Sequence, residues 1–579
     1  MLLLAFDAML LIFTSAGAGI FMITCTGRIF GKKVYANPLG IILAGIVFLT
    51  LYFNLVSFLQ PVNYYSLLPP VLLSIIMFAR RKAALLFTGR VQQAAAFLFS
   101  RPNIFVTIPV CMMLAFCWLM PPVNADGAGY HYSTVLWFET YKVVPGLANV
   151  DGRLAYNSAA FIIEAAFGFT RIAGQSLYPL NGVLTILFFS WLLKKILQSR
   201  STVQGIVYFL LLYLLNRVLL VNMPSATADT LVLICLSYSF IQVFEALLAR
   251  QDVTYFLLPL VLLLYAVTAK LSAYPGLLLF IVVLVYLKQD TYNFRLLAGL
   301  CLMAFFIYVP WLCRNVILSG YLLYPVPFID IFNVDWKAPK DILLLDYIYI
   351  KRLPVNFDDA LVRVTPPPFP QWIWPWVQKQ LHNGMRTELF ILFGALLSPL
   401  SWIIAVVKKV NVTRVILYVW LVLYLCVVIW LINVPEYRFG IVFMSFAIAL
   451  PWLYYAIRRP KKNVYSTALF ITLFIIESAW YIYSSPGARH IQGFAFGRFL
   501  VYPLKDRHYY FDNDTAGIHY TMLNNNIKLY HQDSAHNCIN AALPCMIYKY
   551  GIIELRGKSI ADGFRNVQDD VSRNYPFVK

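Results

Sequence analysis

Runs of about 20 consecutive apolar residues recur along this chain, and few folds accommodate them. A run of that length crosses a hydrocarbon layer of roughly 30 Å as a helix, with its backbone polar groups satisfied inside the segment. Strands of a membrane barrel would alternate over about 10 residues, and these runs do not alternate. Hydrophobic residues make up 61% and charged residues 12% of the 579 positions, against about 45–50% and about 25% in soluble domains. Too few polar groups exist to cover the apolar surface, so a soluble globular fold is excluded. An aromatic content of 16% excludes a disordered chain. The expected class is an all-α integral membrane protein.

Fourteen spans are expected, at 6–26, 39–59, 64–79, 103–120, 177–193, 203–222, 228–248, 253–269, 271–287, 295–313, 387–407, 413–432, 438–457 and 464–483. The first has no basic residue before it and no small-residue cleavage pattern, so it reads as a span and not a signal peptide. The net charge of +20 would suggest nucleic acid in a soluble protein. Here the basic residues sit in short loops, where they set orientation, and no nucleic-acid partner is expected. Arg28, Lys32 and Lys33, then Arg80 to Lys82, Lys194, Lys195 and Arg200 mark inside loops, whereas the short loops at 60–63 and 222–228 hold no basic residue. The alternation closes if 157–170 does not cross, which makes 121–176 one outside loop with interfacial or re-entrant helices. Two further segments stand outside: 314–386, with Pro366 to Pro368 and Trp372, Trp374 and Trp376, and the tail 484–579. The tail is long enough for a small extramembrane domain and carries Cys538 and Cys545, close enough to bridge in an oxidising compartment.

No Walker loop, dinucleotide fingerprint, HExxH, paired CxxC or G-x-S-x-G is present. The polar residues that remain gather where spans meet the outer face. Asn124-Ala125-Asp126-Gly127-Ala128-Gly129-Tyr130-His131-Tyr132 follows a span directly. Asp126 there suits a general base acting on a bound hydroxyl, or a helix cap. The stretch from Val144 to Asn157 is rich in turn formers, and its Asp151 and Arg153 either face a ligand or pair with each other. Asp229 opens a span, as a cap or as a second acid facing Asp126. Lys270 lies between two apolar runs, which marks it as a functional candidate or as a snorkelling side chain. Arg314 ends a span, and Arg438 follows Glu436 in a very short outside turn. Guanidinium groups there can grip a phosphate in two-pronged fashion, or simply pair with an acid. Tyr130, His131, Asp151, Arg153, Asn157 and Glu436 are the side chains expected to contact substrate.

At these residues the chain resembles the GT-C-type membrane glycosyltransferases, which use polyprenyl-phosphate-linked sugars, and an uncharacterised bacterial branch near them. That family has a seven-span core, a large first outside loop with a catalytic acid after the first core span, and a second large outside loop after the seventh. Here the span at 103–120 precedes Asp126 and the loop 121–176, and six more spans lead to 313 and the loop 314–386. The resemblance implies additional helices at 1–102, a core at 103–313, further spans at 387–483 and an outside domain at 484–579. It covers roughly 100–480 and rests on layout.

The activity implied is inverting transfer of a sugar from a polyprenyl-phosphate donor to a glycan, lipid or protein acceptor, at the outer face of a bacterial inner membrane. Asp126 or Asp229 would be the catalytic acid. Lys270, Arg314 and Arg438 would bind the donor phosphate. No cofactor is required by this reading, and a divalent cation is left open, because Gly127 stands where many members carry a second adjacent acid. A polysaccharide polymerase or ligase using diphosphate-linked glycans is the alternative enzyme. A lipid or glycan flippase is the alternative from another class, although carriers keep their polar sites near mid-membrane.

Overall fold

The computed structural model describes residues 2–120, 124, 126–173, 176–287, 293–352, 370–382, 385–407, 412–433, 435–458, 472, 476, 518–532, 538, 542–546 and 551–567. Among these, nine helices are long and apolar enough to cross a membrane. They are Leu2–Phe30, Pro38–Ser57, Arg101–Leu119, Pro179–Leu197, Thr202–Asn222, Asp229–Leu248, Leu297–Ser319, Arg414–Asn433 and Tyr437–Arg458. Shorter apolar helices cover Tyr64–Ala79, Thr254–Ala269 and Leu271–Leu287. The protein is a membrane-embedded helical bundle. The expected span 387–407 is instead two helices, Arg386–Leu396 and Pro399–Val407, because Pro399 cannot continue the first and starts the second. The expected span 464–483 and the tract Pro366 to Pro368 lie outside the described residues.

Local chemistry explains the helix starts. Asn37 accepts from the Gly40 amide ahead of Pro38–Ser57, and Ser201 does the same for Gln204 ahead of Thr202–Asn222. Helices Leu2–Phe30 and Pro38–Ser57 cross with their backbones nearly touching. A Cβ on Gly45 would lie 1.7 Å from the Ser15 carbonyl oxygen, so the crossing depends on a missing side chain. Between 121 and 176 the helices Tyr132–Thr140 and Ala159–Ala166 have nine and eight residues. Helices of that length, at about 1.5 Å per residue, are too short to cross. Trp372 and Trp376 join the bundle core, and Trp374 remains exposed.

A second apolar core lies apart from the bundle and joins three segments of the chain, 121–176, 314–386 and the tail. Trp137, Leu147 and Leu154 come from 121–176, Tyr321, Tyr324 and Leu343 from 314–386, and Leu529, Leu555 and Phe564 from the tail. The described tail residues are β in structure and not α. Strands Ile518–Met522 and Lys528–Gln532 pair antiparallel, with Cys545–Met546 parallel to the second. Strands Ile553–Leu555 and Phe564–Asn566 form a separate ladder. The turn between the first two places Asn525 and Asn526 at φ 60° and 58°, a region that asparagine tolerates better than most residues. Cys538 and Cys545 are disulfide-bonded. Docking is polar as well as apolar. The Phe564 amide donates to the Pro145 carbonyl at 2.9 Å, and Arg556 grips Asp335 through two bonds of 2.7 and 2.9 Å.

Candidate functional site

Five side chains from four separate parts of the chain meet at one end of the bundle. Asp126 comes from the start of the first outer loop and Asp229 from the first turn of Asp229–Leu248. Lys270 comes from a break between two apolar helices, and Glu436 and Arg438 from the entry to Tyr437–Arg458. Lys270 is in extended conformation, φ −157° and ψ 127°, so its side chain leaves the helix path. Its Nζ bonds Asp229 Oδ1 and lies 4.1 Å from the Phe439 ring centre. Arg438 Nη1 donates to Asp126 Oδ2 at 2.7 Å, approaches Asp229 Oδ2 at 3.5 Å, and its Nε reaches Glu436 Oε1 at 3.3 Å. The cluster is graded in depth. The Asp229 side chain is 3% exposed, Lys270 and Arg438 are 25% exposed, and Asp126 is 39% exposed. Asp229 is therefore the floor and Asp126 the rim.

Asp126 makes no helix-capping bond, so its carboxylate is held by the cluster and not by the following turn. Burial alone would raise its pKa, but the charges of Arg438 and Lys270, joined by His131 when that ring is protonated in acid, outweigh it and hold the carboxyl below its usual value. Glu436 is shifted the other way, upward, by burial. With every group ionised the cluster has three carboxylates and two cations.

Behind the rim, Tyr130 connects the cluster to the loop. Arg153 lies 5.7 Å from its ring centre, and Tyr156 and His131 meet it edge-on. His131 is buried and pushed down to about 4 by that burial, so its imidazole is neutral near pH 7. Asp151 and Arg153 do pair, through bonds of 3.1 and 2.8 Å, and Asp151 also caps the turn that follows. They brace the loop against Tyr130.

Arg314 and Asn157, expected to bind donor phosphate and substrate, bond to each other and not to the five side chains of the cluster. Arg314 is buried and donates to Asn157 Oδ1 at 3.0 Å and to Ser57 Oγ, with its guanidinium 4.5 Å from the Phe138 ring centre. Asn157 also donates to the Trp311 carbonyl at 2.9 Å and to Asn315 Oδ1 at 2.8 Å. Among the described residues Arg314 has no acidic partner. The pair fastens the first loop to helix Asn293–Ser319, and the cations within the acidic cluster are Lys270 and Arg438.

Sequence reading missed Asp346. It lies on helix Lys340–Arg352 of the second outer segment, buried on the same side as Ile342 and Leu343. Tyr324 donates to it at 2.6 Å, and a Cβ on Gly152 would lie 2.2 Å from its Oδ2. Only glycine fits that point in the Asp151–Arg153 turn. The available signal was an acid on the apolar side of an amphipathic helix. Burial, opposed by the Tyr324 bond, pushes Asp346 up to about 7. An unfolded aspartate titrates near 3.9. Between those values the folded chain holds a proton that the unfolded chain has lost, so stability falls as pH rises through that window. Thermal melts of detergent-purified protein at pH 5 and pH 8 should show this fall, and Asp346→Asn should reduce it. An equal fall in wild type and variant would assign it to other groups, Glu139 first, which burial also raises to about 7.

Among the described residues no group of three or more His, Cys, Asp or Glu side chains is placed to hold a metal ion. The nearest approach to one is Asp126 with Asp229, and Arg438 already fills the space between them.

One family model, described as "Domain of unknown function (DUF8201)", matches residues 1–445. No curated protein and no solved structure matches the chain.

Proposed function

The chain belongs to this family, whose description names no activity, and from its own residues we propose that it is an inverting membrane glycosyltransferase using a polyprenyl-phosphate-linked sugar. The observation that carries this reading is the convergence of Asp126, Asp229, Lys270, Glu436 and Arg438 at one end of the bundle. A base that is partly exposed, next to cations that a phosphate can recruit, is what a single displacement at a sugar carbon needs.

The proposed step runs as follows. The acceptor hydroxyl gives its proton to an Asp126 oxygen while its own oxygen bonds the anomeric carbon. The bond from that carbon to the phosphate oxygen breaks, and the lipid phosphate leaves with the electron pair. Arg438 and Lys270 meet the charge that develops on it. Arg438 would then serve the reaction twice. A donor phosphate competes for its guanidinium and draws it from Asp126, which raises the basicity of Asp126 as the donor arrives. Asp229 stays paired at the floor and positions Lys270. Tyr130 and the neutral His131 line the side of the cluster where a sugar would lie. The loops and the tail, which share one apolar core, would supply the acceptor surface. A disulfide in that tail fits an outer, oxidising compartment.

The test is transfer by purified protein in liposomes, given a panel of labelled polyprenyl-monophosphate sugars and an envelope extract as acceptor. Label should move to the acceptor with release of polyprenyl phosphate. Transfer from diphosphate-linked glycans alone would replace this reading with the polymerase or ligase. Movement of labelled lipid between leaflets without bond cleavage would replace it with a carrier.

A further inference from the structure

At the other end of helix Pro38–Ser57 from Ser57, some 30 Å along a 20-residue helix, the bundle carries an open cavity of about 900 Å³. Its floor is apolar: Ile20, Ile41 and Met77 reach it from three helices. Its rim is basic. Arg28, Lys32 and Lys33 come from the end of the first helix and the turn after it. Arg80, Arg81 and Lys82 face them from the junction of helices Leu68–Ala79 and Arg81–Leu98, and Arg90 comes from about two turns further along. None of the described residues lining the cavity is acidic.

We infer that this cavity binds the phosphate of a membrane lipid, with the lipid tail on the apolar floor. The inference is independent of the transferase chemistry. Cations near a membrane surface are expected in any multi-span protein, where they need only occupy short loops. Three features go beyond that requirement. The cations converge on one concavity from two separate stretches of chain. The concavity has the volume of an ordinary ligand pocket. Its apolar lining, Ile20, Ile41 and Met77, belongs to the core of the bundle, as a lipid tail would need.

Partner bonds elsewhere do not neutralise the rim. Lys32 reaches Asp252 at 3.2 Å, and Arg90 donates to the Ala36 carbonyl and lies 5.7 Å from the Tyr35 ring centre. Among the described residues, Arg28, Lys33, Arg80, Arg81 and Lys82 have no acidic partner. Basic pockets between spans are where phosphate-bearing lipid headgroups bind. The cations carry only hydrogen-bond donors, so the ligand must accept, and a phosphate ester does so with several oxygens.

The test uses the full chain in an uncharged detergent, with binding read by native mass spectrometry. The probes are phosphatidylglycerol, polyprenyl phosphate, phosphatidylcholine and inorganic phosphate. Wild type should retain the first two well above phosphatidylcholine, whose headgroup has no net charge. Replacing Arg80, Arg81 and Lys82 together by Gln should weaken that binding on the order of 100-fold, from roughly fivefold per cation. Ala83→Trp fills the cavity and leaves every charge in place, and it should weaken binding at least about tenfold if the tail is held inside. Arg101→Gln removes an exposed cation that does not line the cavity and should change nothing. Saturable binding of inorganic phosphate with the same variant pattern would support the phosphate site and name a free anion as its source. Wild-type binding in Ala83→Trp beside loss in the charge variant would reduce the rim to surface attraction and overturn the inference. Equal retention of phosphatidylcholine would overturn it too, without any variant that has to fold.

Discussion

Asp126→Asn is expected to fold, to bind the lipid donor, and to transfer sugar about 10²–10⁴-fold more slowly than wild type. The substitution keeps the shape of the side chain and an oxygen that can accept from Arg438 Nη1, 2.7 Å away in the parent. No capping bond is lost, because none is made. The negative charge disappears, and with it the capacity to take a proton. Single-turnover transfer with labelled donor measures the loss, and donor retention on the same preparation separates it from weakened binding. Asp229→Asn should cost less, since Asp229 is 3% exposed and committed to Lys270 and Arg438. Normal transfer in Asp126→Asn beside collapse in Asp229→Asn would move the base to the floor of the cluster. Unchanged transfer in both would remove the acid–base mechanism altogether.

Lys270→Met should lower stability by roughly 3 kcal/mol, because it leaves the buried Asp229 carboxylate without its closest cation. Arg438 remains, at 3.5 Å from Asp229 Oδ2, but it is shared with Asp126 and Glu436. The double variant Lys270→Met with Asp229→Asn should recover most of that loss, since removing both charges leaves none buried and unpaired. Neither variant should transfer sugar. Thermal melts in detergent read the first effect and the transfer assay the second. If Lys270→Met melts with the wild type, Lys270 is not what neutralises Asp229, and its place in the donor grip fails as well.

Most of the candidate site was legible before any coordinates. An acid or a cation at the edge of an apolar run is costly unless it has a partner, so Asp126, Asp229, Lys270 and Arg438 stood out one by one. Their convergence was an expectation from orientation alone, and the ion pairs among them join positions up to 312 residues apart. Arg314 was equally conspicuous and went elsewhere. Its partners, Ser57, Phe138 and Asn157, are uncharged, and nothing in a sequence marks an uncharged residue as the anchor of a guanidinium. Asp346 escaped notice for the opposite reason. Its environment is made by Gly152 and Tyr324, from two other parts of the outer region.

The sequence by itself determined that this chain enters a membrane as helices, because apolar runs of that length satisfy their backbone only in that way. It also marked the ends of several helices with charged residues. Tertiary structure alone decided that the two outer loops and the tail share one apolar core, with Phe564 against Pro145 and Arg556 on Asp335. It alone decided which cations join the acids and which fasten a loop. Span and face follow from local transfer free energies, summed along the chain. Partnership follows from packing between distant segments, and the charge of a residue does not encode which neighbour the fold will bring to it.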